Sequence, residues 1–182
     1  MSSFTIRELG DPVLRQQAND ITDIDGRLVQ LVDDMFDTMY AAPGTGLAAP
    51  QVGVQKRLFV YDVDDTPGVL INPTIVESDG ESVYEEGCLS IPGFYFEVTR
   101  PRSVRITGTD LDGNDVDLDT TDFWARMFQH ELDHLTGTLV LEHLQPEQRK
   151  VAKRLIRLRT MEPGEHPTSV ISADGQVRVL DR

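Results

Sequence analysis

Only one cysteine, Cys88, occurs in the 182 residues, so no intrachain disulfide can form and a disulfide-stapled scaffold is excluded. Long hydrophobic runs are missing too. No stretch approaches the roughly 20 apolar residues of a membrane-spanning helix. Arg7, Glu8, Asp11 and Arg15 break up the stretch from Met1 to Gln17, so no signal peptide is expected and the cytoplasm is the expected compartment. Positive charge is scarce, with 17 Lys and Arg against 31 Asp and Glu, and the net charge of −14 argues against nucleic acid or an anionic membrane as a general partner. Internal repeats and low-complexity tracts are absent. With 39% apolar and 26% charged residues, the chain reads as a globular domain long enough to bury a core.

The scarce positive charge is concentrated. Between Pro146 and Thr160 stand Arg149, Lys150, Lys153, Arg154, Arg157 and Arg159 against Glu147 alone, a local charge of +5, which leaves −19 for the rest. Pro146 suits a first helical turn, and Val151, Ala152, Leu155, Ile156 and Leu158 supply an apolar stripe, so this segment is expected to be an amphipathic helix. A solvated face explains such a helix as well as a docking surface does.

The strongest chemical signal is His130-Glu131-Leu132-Asp133-His134. On a helix the two imidazoles lie about 40° apart around the axis, one turn above the other, and can grip one metal ion. Glu131, about 100° round from His130, can reach a metal-bound water without being a ligand. Asp119, Thr120, Thr121 and Asp122 are candidate N-caps, and Gly137 stands where a left-handed C-terminal cap belongs. Phe123, Met127, Phe128, Leu132 and Leu135 make this a buried helix. A third ligand is needed, and the large peptidase group with H-E-x-x-H-x-x-G-x-x-H would take it from position 140, which is Val140. Cys88, in Glu85-Glu86-Gly87-Cys88-Leu89-Ser90-Ile91-Pro92-Gly93, offers a thiolate instead. Cys, His and His give three protein ligands with an open position, the arrangement of a catalytic metal site.

In the remaining chain, Gly10-Asp11-Pro12 reads as a turn, and Leu28, Leu31, Val32, Met35, Phe36, Met39 and Tyr40 as an N-terminal amphipathic helix. Gly44-Thr45-Gly46-Leu47-Ala48-Ala49-Pro50-Gln51 exposes bare backbone that a peptide could approach, or is only a tight packed turn. Leu58 to Val63, Val69 to Asn72, Ser103 to Thr109 and Val116 to Leu118 read as strands, with a hairpin at Asp112-Gly113. The expected fold is α+β, with short antiparallel strands wrapped around a central metal-binding helix and further helices near each end. Residues 1–160 are expected to form one catalytic domain. For 161–182 a small hairpin around Asp174-Gly175 and a disordered tail remain open.

Gly44 to Gln51, Glu86 to Ser90 and Gln129 to His134, in this order and separation, resemble the motifs of the peptide deformylases, and Gly10 to Arg15 resembles that family's N-terminal string. The resemblance extends to about Leu158. It implies hydrolysis of the N-terminal formyl group of N-formylmethionyl nascent polypeptides, with release of formate. Cys88, His130 and His134 would hold one divalent metal that acidifies a water, Fe²⁺ in the cell, with Zn²⁺ or Ni²⁺ able to substitute. Glu131 would be general base and acid, and the Gln51 side chain and Leu89 N–H would stabilise the oxyanion. Thr45, Gly46 and Gly87 would pair with the substrate backbone. Phe123, Arg126 and Met127 would line the methionine pocket. Arg126 departs from the apolar residue usual there in many members, and its stem is expected to cover substrate while its guanidinium reaches water. In bacterial relatives a C-terminal helix of this kind resembles a ribosome-docking element, which residues 146–160 would provide.

Asp133 is read as a solvated helix charge, with orientation of a neighbouring side chain as the alternative, and His143 and His166 as surface or packing residues. Two rival readings remain at this point, a zinc peptidase and a non-catalytic metal-stabilised module with His143 or His166 as fourth ligand. Glu131 separates enzyme from module.

Overall fold

The computed structural model describes residues 4–162, 164 and 166–180. The N-terminal amphipathic pattern folds as helix α1 (Gly26–Ala41), whose start is capped by the Asp25 carboxylate accepting the Arg27 and Leu28 N–H groups. Its Leu28, Val32, Met35 and Met39 are buried, so the methionines of this helix are core. They pack against a five-stranded antiparallel sheet of β1 (Gly46–Ala48), β2 (Leu58–Val63), β3 (Thr66–Asp79), β6 (Ser103–Thr109) and β7 (Asp115–Thr121), in the order β1-β2-β3-β6-β7. β3 is far longer than the expected Val69 to Asn72. Register shifts at Ile71/Thr74 and Ile75/Glu77 let it bend and continue past Asn72 and Pro73.

A second sheet contains β4 (Ser82–Gly87), β5 (Phe94–Arg100), β8 (Ser169–Ile171) and β9 (Val177–Val179), in that order. β4 and β5 pair antiparallel across the Cys88 segment. β8 and β9 form the hairpin open in the sequence, and β8 lies parallel to β5, the one parallel pair among the described strands.

Helix α2 (Asp122–Leu135) carries the His-Glu-x-x-His string between the sheets. Its Met127, Phe128 and Leu135 join Phe59, Tyr61, Leu70 and Ile106 of the first sheet, with Phe128 edge-on to Tyr61 at 5.1 Å. None of the N-cap candidates caps by side chain: the cap position is Thr121, which makes no such bond. Asp122 instead donates its N–H to the Arg102 carbonyl (2.8 Å) and accepts from the Arg102 guanidinium (3.0 Å). At the other end Gly137 takes φ +73° as expected. Its N–H reaches the His134 carbonyl and that of Thr138 the Asp133 carbonyl, the paired bonds of a left-handed helix stop.

Helix α3 (Pro146–Met161) is the basic helix, and it covers the second sheet through Ala152 and the partly buried Val151, Leu155 and Ile156. No helix among the described residues is long and apolar enough to cross a membrane.

Candidate metal centre and cleft

The last residue of β4 is Gly87, and the next, Cys88, turns into the core of the second sheet beside Phe94, Phe96 and Val98. His130 and His134 lie one turn apart on α2, their rings edge to face with centroids 5.0 Å apart. Among the described residues one group of possible metal ligands gathers, Cys88, His130 and His134, with their ligand atoms within 4.8 Å of one another and Cys88 Sγ 3.4 Å from His134 Nε2. His130 Nδ1 is engaged by a Glu86 carboxylate oxygen at 3.2 Å, which leaves Nε2 as the ligand atom.

Burial alone would raise the Cys88 pKa, yet His134 and His130 beside it bring the thiol well below its ordinary range. Burial opposes a charge on His130, but Cys88 and Glu86 raise its pKa well above the usual histidine value. A ready thiolate and two imidazoles, one already oriented through its far nitrogen, suit a divalent transition metal, so the residues fit such an ion.

Glu131 is buried, and burial raises its carboxyl pKa against the opposing pull of His130 and His134. Its Oε2 has no hydrogen-bond partner among the described residues. Gly46 explains how it fits. A Cβ there would lie 2.6 Å from Glu131 Oε1, so the bare backbone of β1 makes room for this carboxylate as well as for a substrate.

These groups open onto a cavity of about 640 Å³ lined by Thr45, Gly46, Gln51, Gly87, Leu89, Phe123, Arg126 and Met127, with Glu86, Cys88, His130 and Glu131 at its floor. β1 and β4 are each the outermost strand of their sheet, so two sheet edges border the cavity. The Gln51 side chain is fixed, with Oε1 accepting the Ala48 N–H (2.8 Å) and Nε2 donating to Ser90 Oγ (3.2 Å). Met127 is buried, and Phe123 is exposed at the cavity mouth.

Two expectations are corrected. The Arg126 guanidinium does not reach water: it is 4% exposed and donates to Glu86, to the Val98 carbonyl (3.0 Å) and to Ser82 (2.8 and 2.9 Å). Arg126 still lines the cavity. Asp133 is no solvated charge, since Arg100 donates to it at 2.9 Å and His143 Nε2 lies 2.7 Å from the same oxygen. His143, at the surface as expected, is the outer end of a chain that runs His143, Asp133, Arg100, Glu86, His130.

Glu86 is the functional residue that sequence reasoning passed over. It is 5% exposed and receives Arg100 twice (2.6 and 3.0 Å), Arg126 and His130. Burial would push its carboxyl up, yet His130 and Arg100 hold it well below the usual range. Its place two residues before Cys88, in the same short string, was the available signal. Neither His143 nor His166 joins the ligand group: His143 Nε2 lies against Asp133, and His166 Nε2 contacts the Glu162 carbonyl (2.6 Å).

The family model for polypeptide deformylases matches residues 3–150. This chain belongs to the peptide deformylase family. It is 48% identical to a peptide deformylase from Acidothermus cellulolyticus over 86% of this chain and 87% of that one. A second relative, from Cellvibrio japonicus, is 49% identical over 82% of this chain and 90% of its own. Among solved structures, a peptide deformylase from Legionella pneumophila aligns with a TM-score of 0.82 at 40% identity, covering 89% of this chain and all of that one. The deformylase from Synechococcus elongatus in complex with actinonin aligns at 0.82 and 39%, covering 86% and 88%. The family model ends at residue 150, near the start of α3 and ahead of the β8–β9 hairpin.

Proposed function

We propose that this peptide deformylase removes the formyl group from N-formylmethionyl nascent polypeptides, releasing formate and a free α-amine. The observation that carries the proposal is the meeting of Cys88, His130 and Glu131 at a cavity bordered by two strand edges, with the buried His134 completing the ligand group behind them. Held by the Cys-His-His group, a divalent metal would supply an acidified water and a Lewis acid for the formyl oxygen. Glu131 accepts the proton of the attacking water and returns it to the departing amine, a task suited by a carboxyl pKa raised through burial. The Gln51 amide and the Leu89 N–H stabilise the oxygen that becomes negative. Thr45 and Gly46 on one edge and Gly87 on the other pair with the extended peptide, which fixes the formyl carbon over the floor. Met127, Phe123 and the Arg126 stem receive the methionine side chain.

Ferrous iron is the cellular metal in this reading, supported by a thiolate and imidazole donor set that Zn²⁺ and Ni²⁺ also fit. Highest activity with zinc would overturn it. The cytoplasm, where polypeptides are made, is the matching compartment, with residues 1–160 as the catalytic unit. Ribosome docking falls to the exposed Lys150, Lys153, Arg154 and Arg157 of α3. Arg149 and Arg159 are excluded from that role, since their guanidiniums are spent on the carbonyls of Leu141, Glu142, Pro92, Gly93 and Pro167.

The deciding experiment measures formate release from a formyl-methionyl peptide by protein purified without oxygen, with an acetylated peptide as control. Release from the formyl peptide alone is expected. No release by protein holding one metal per chain would overturn the proposal.

A further inference from the structure

Arg159 sits in the last turn of α3, beyond the residues that the family model matches, yet it reaches the cavity wall. Its guanidinium lies over the Phe94 ring, 3.9 Å from the centroid. It also donates to the carbonyls of Pro92 (3.3 Å), Gly93 (3.0 Å) and Pro167 (2.8 Å). Pro92, Gly93 and Phe94 all line the cavity. They are held from a second side by the hairpin that follows α3. The Ser169 N–H donates to the Gly93 carbonyl at 3.0 Å, and β8 pairs with β5 from Phe94 onward. The hairpin is itself anchored: Ile171 is fully buried, and the buried Gln148 amide bridges the carbonyls of Glu97 (2.9 Å) and Ile171 (2.8 Å).

The wall leads directly to the strand that would meet substrate. Tyr95 pairs with Gly87, and its ring fills the space where a Gly87 side chain would be, 2.8 Å from that Cβ position. The floor of the cavity belongs to the formyl group and α2 to the methionine, so this wall is what remains beside Gly87 for the residues that follow methionine. Gly93 takes φ +77°, a conformation that a loop needs help to keep, and Arg159 supplies that help by fixing the carbonyls on both sides of it.

We propose that Arg159, backed by the β8–β9 hairpin, is a positioning residue that holds the Pro92–Phe94 wall against Gly87 and so sets the affinity for the peptide beyond formyl-methionine. The inference rests on the deformylase reading of the cavity. Planar stacking on the ring together with forked donation to backbone carbonyls needs the guanidinium, so lysine, a single-point cation, cannot do both at once.

The test compares Arg159→Ala and Arg159→Lys with the parent chain on two substrates, formyl-methionine amide and a formyl-methionyl tripeptide, with metal content and thermal unfolding measured alongside. For both variants KM for the tripeptide is expected to rise about tenfold, while kcat for both substrates, KM for the amide and metal content stay within about twofold. Equal losses on the two substrates, or an unchanged tripeptide KM in Arg159→Lys, would overturn the inference. If Arg159→Ala does not fold, Arg159→Lys decides alone, because it keeps charge and stem and loses only the stack and the fork. Failure of the parent chain to release formate would instead overturn the deformylase reading, which keeps the two outcomes apart.

Discussion

Glu131 stands next to a metal ligand and lines the cavity, and its Oε2 has no hydrogen-bond partner among the described residues, so its carboxylate is left for a reacting molecule. Glu131→Gln is expected to keep one metal per chain and lose roughly 10²–10⁴-fold in formate release, read by metal analysis and initial rates on the same preparation. Glu86 is expected to behave differently. Glu86→Ala would take from two nearly dry arginines the carboxylate they share, at roughly 3–5 kcal/mol of stability, and free His130 to rotate, at about 10–100-fold in metal affinity. Thermal unfolding and competition with a chelator check the two effects. The contrast explains what could be read beforehand. His130, Glu131, His134 and Cys88 declare themselves because metal chemistry restricts residue type and spacing. Glu86 and Arg100 act through a pairing 14 residues apart in sequence, and nothing in composition says that two charges will meet in the core. Arg126 was misread for a related reason, since an exposed head is the ordinary state of arginine and its buried partners came from Ser82 and Val98 on other elements.

At the scale of elements, α2 shows how a helix is placed to carry chemistry. Its stop is enforced from outside: a Cβ on Gly137 would lie 2.7 Å from the Arg15 backbone, in a conformation with φ +73°. Gly137→Ala is therefore expected to destabilise the fold by roughly 1–3 kcal/mol, seen as a lower Tm, with metal stoichiometry intact in the folded fraction. The helices were legible because three- and four-residue spacing survives in both α1 and α2. β4 and β5 were not read as strands, since Ser82–Gly87 has little apolar alternation and its partner begins after a proline and a glycine. The hairpin of β8 and β9 stayed open because its strands are three residues each and draw stability from β5.

Across the whole molecule, charge is segregated, with an exposed basic stripe on α3 and an acidic body. Arg154→Glu with Arg157→Glu is expected to weaken co-sedimentation with ribosomes and flatten its salt dependence, while turnover on a short formyl peptide is unchanged. Undiminished co-sedimentation would remove the docking role. The α+β class and the central helix could be anticipated from the sequence, but the division into two sheets could not, because it depends on which strand edges the long β3 and the Cys88 segment leave apart.

That division gives the metal group a mechanical meaning. Cys88 belongs to the core of the second sheet, while His130 and His134 ride on a helix seated against the first, and Cys88 and His134 are 46 residues apart along the chain. An ion bound by all three is a clasp across the seam between two half-structures, closing a long loop at a single point. Its binding free energy is then also folding free energy, so stripping the ion should lower Tm by an amount that grows with the concentration of metal present before chelation. A polypeptide that failed to bring its sheets together would have no site with which to act, so assembly of the seam and competence for catalysis are one event.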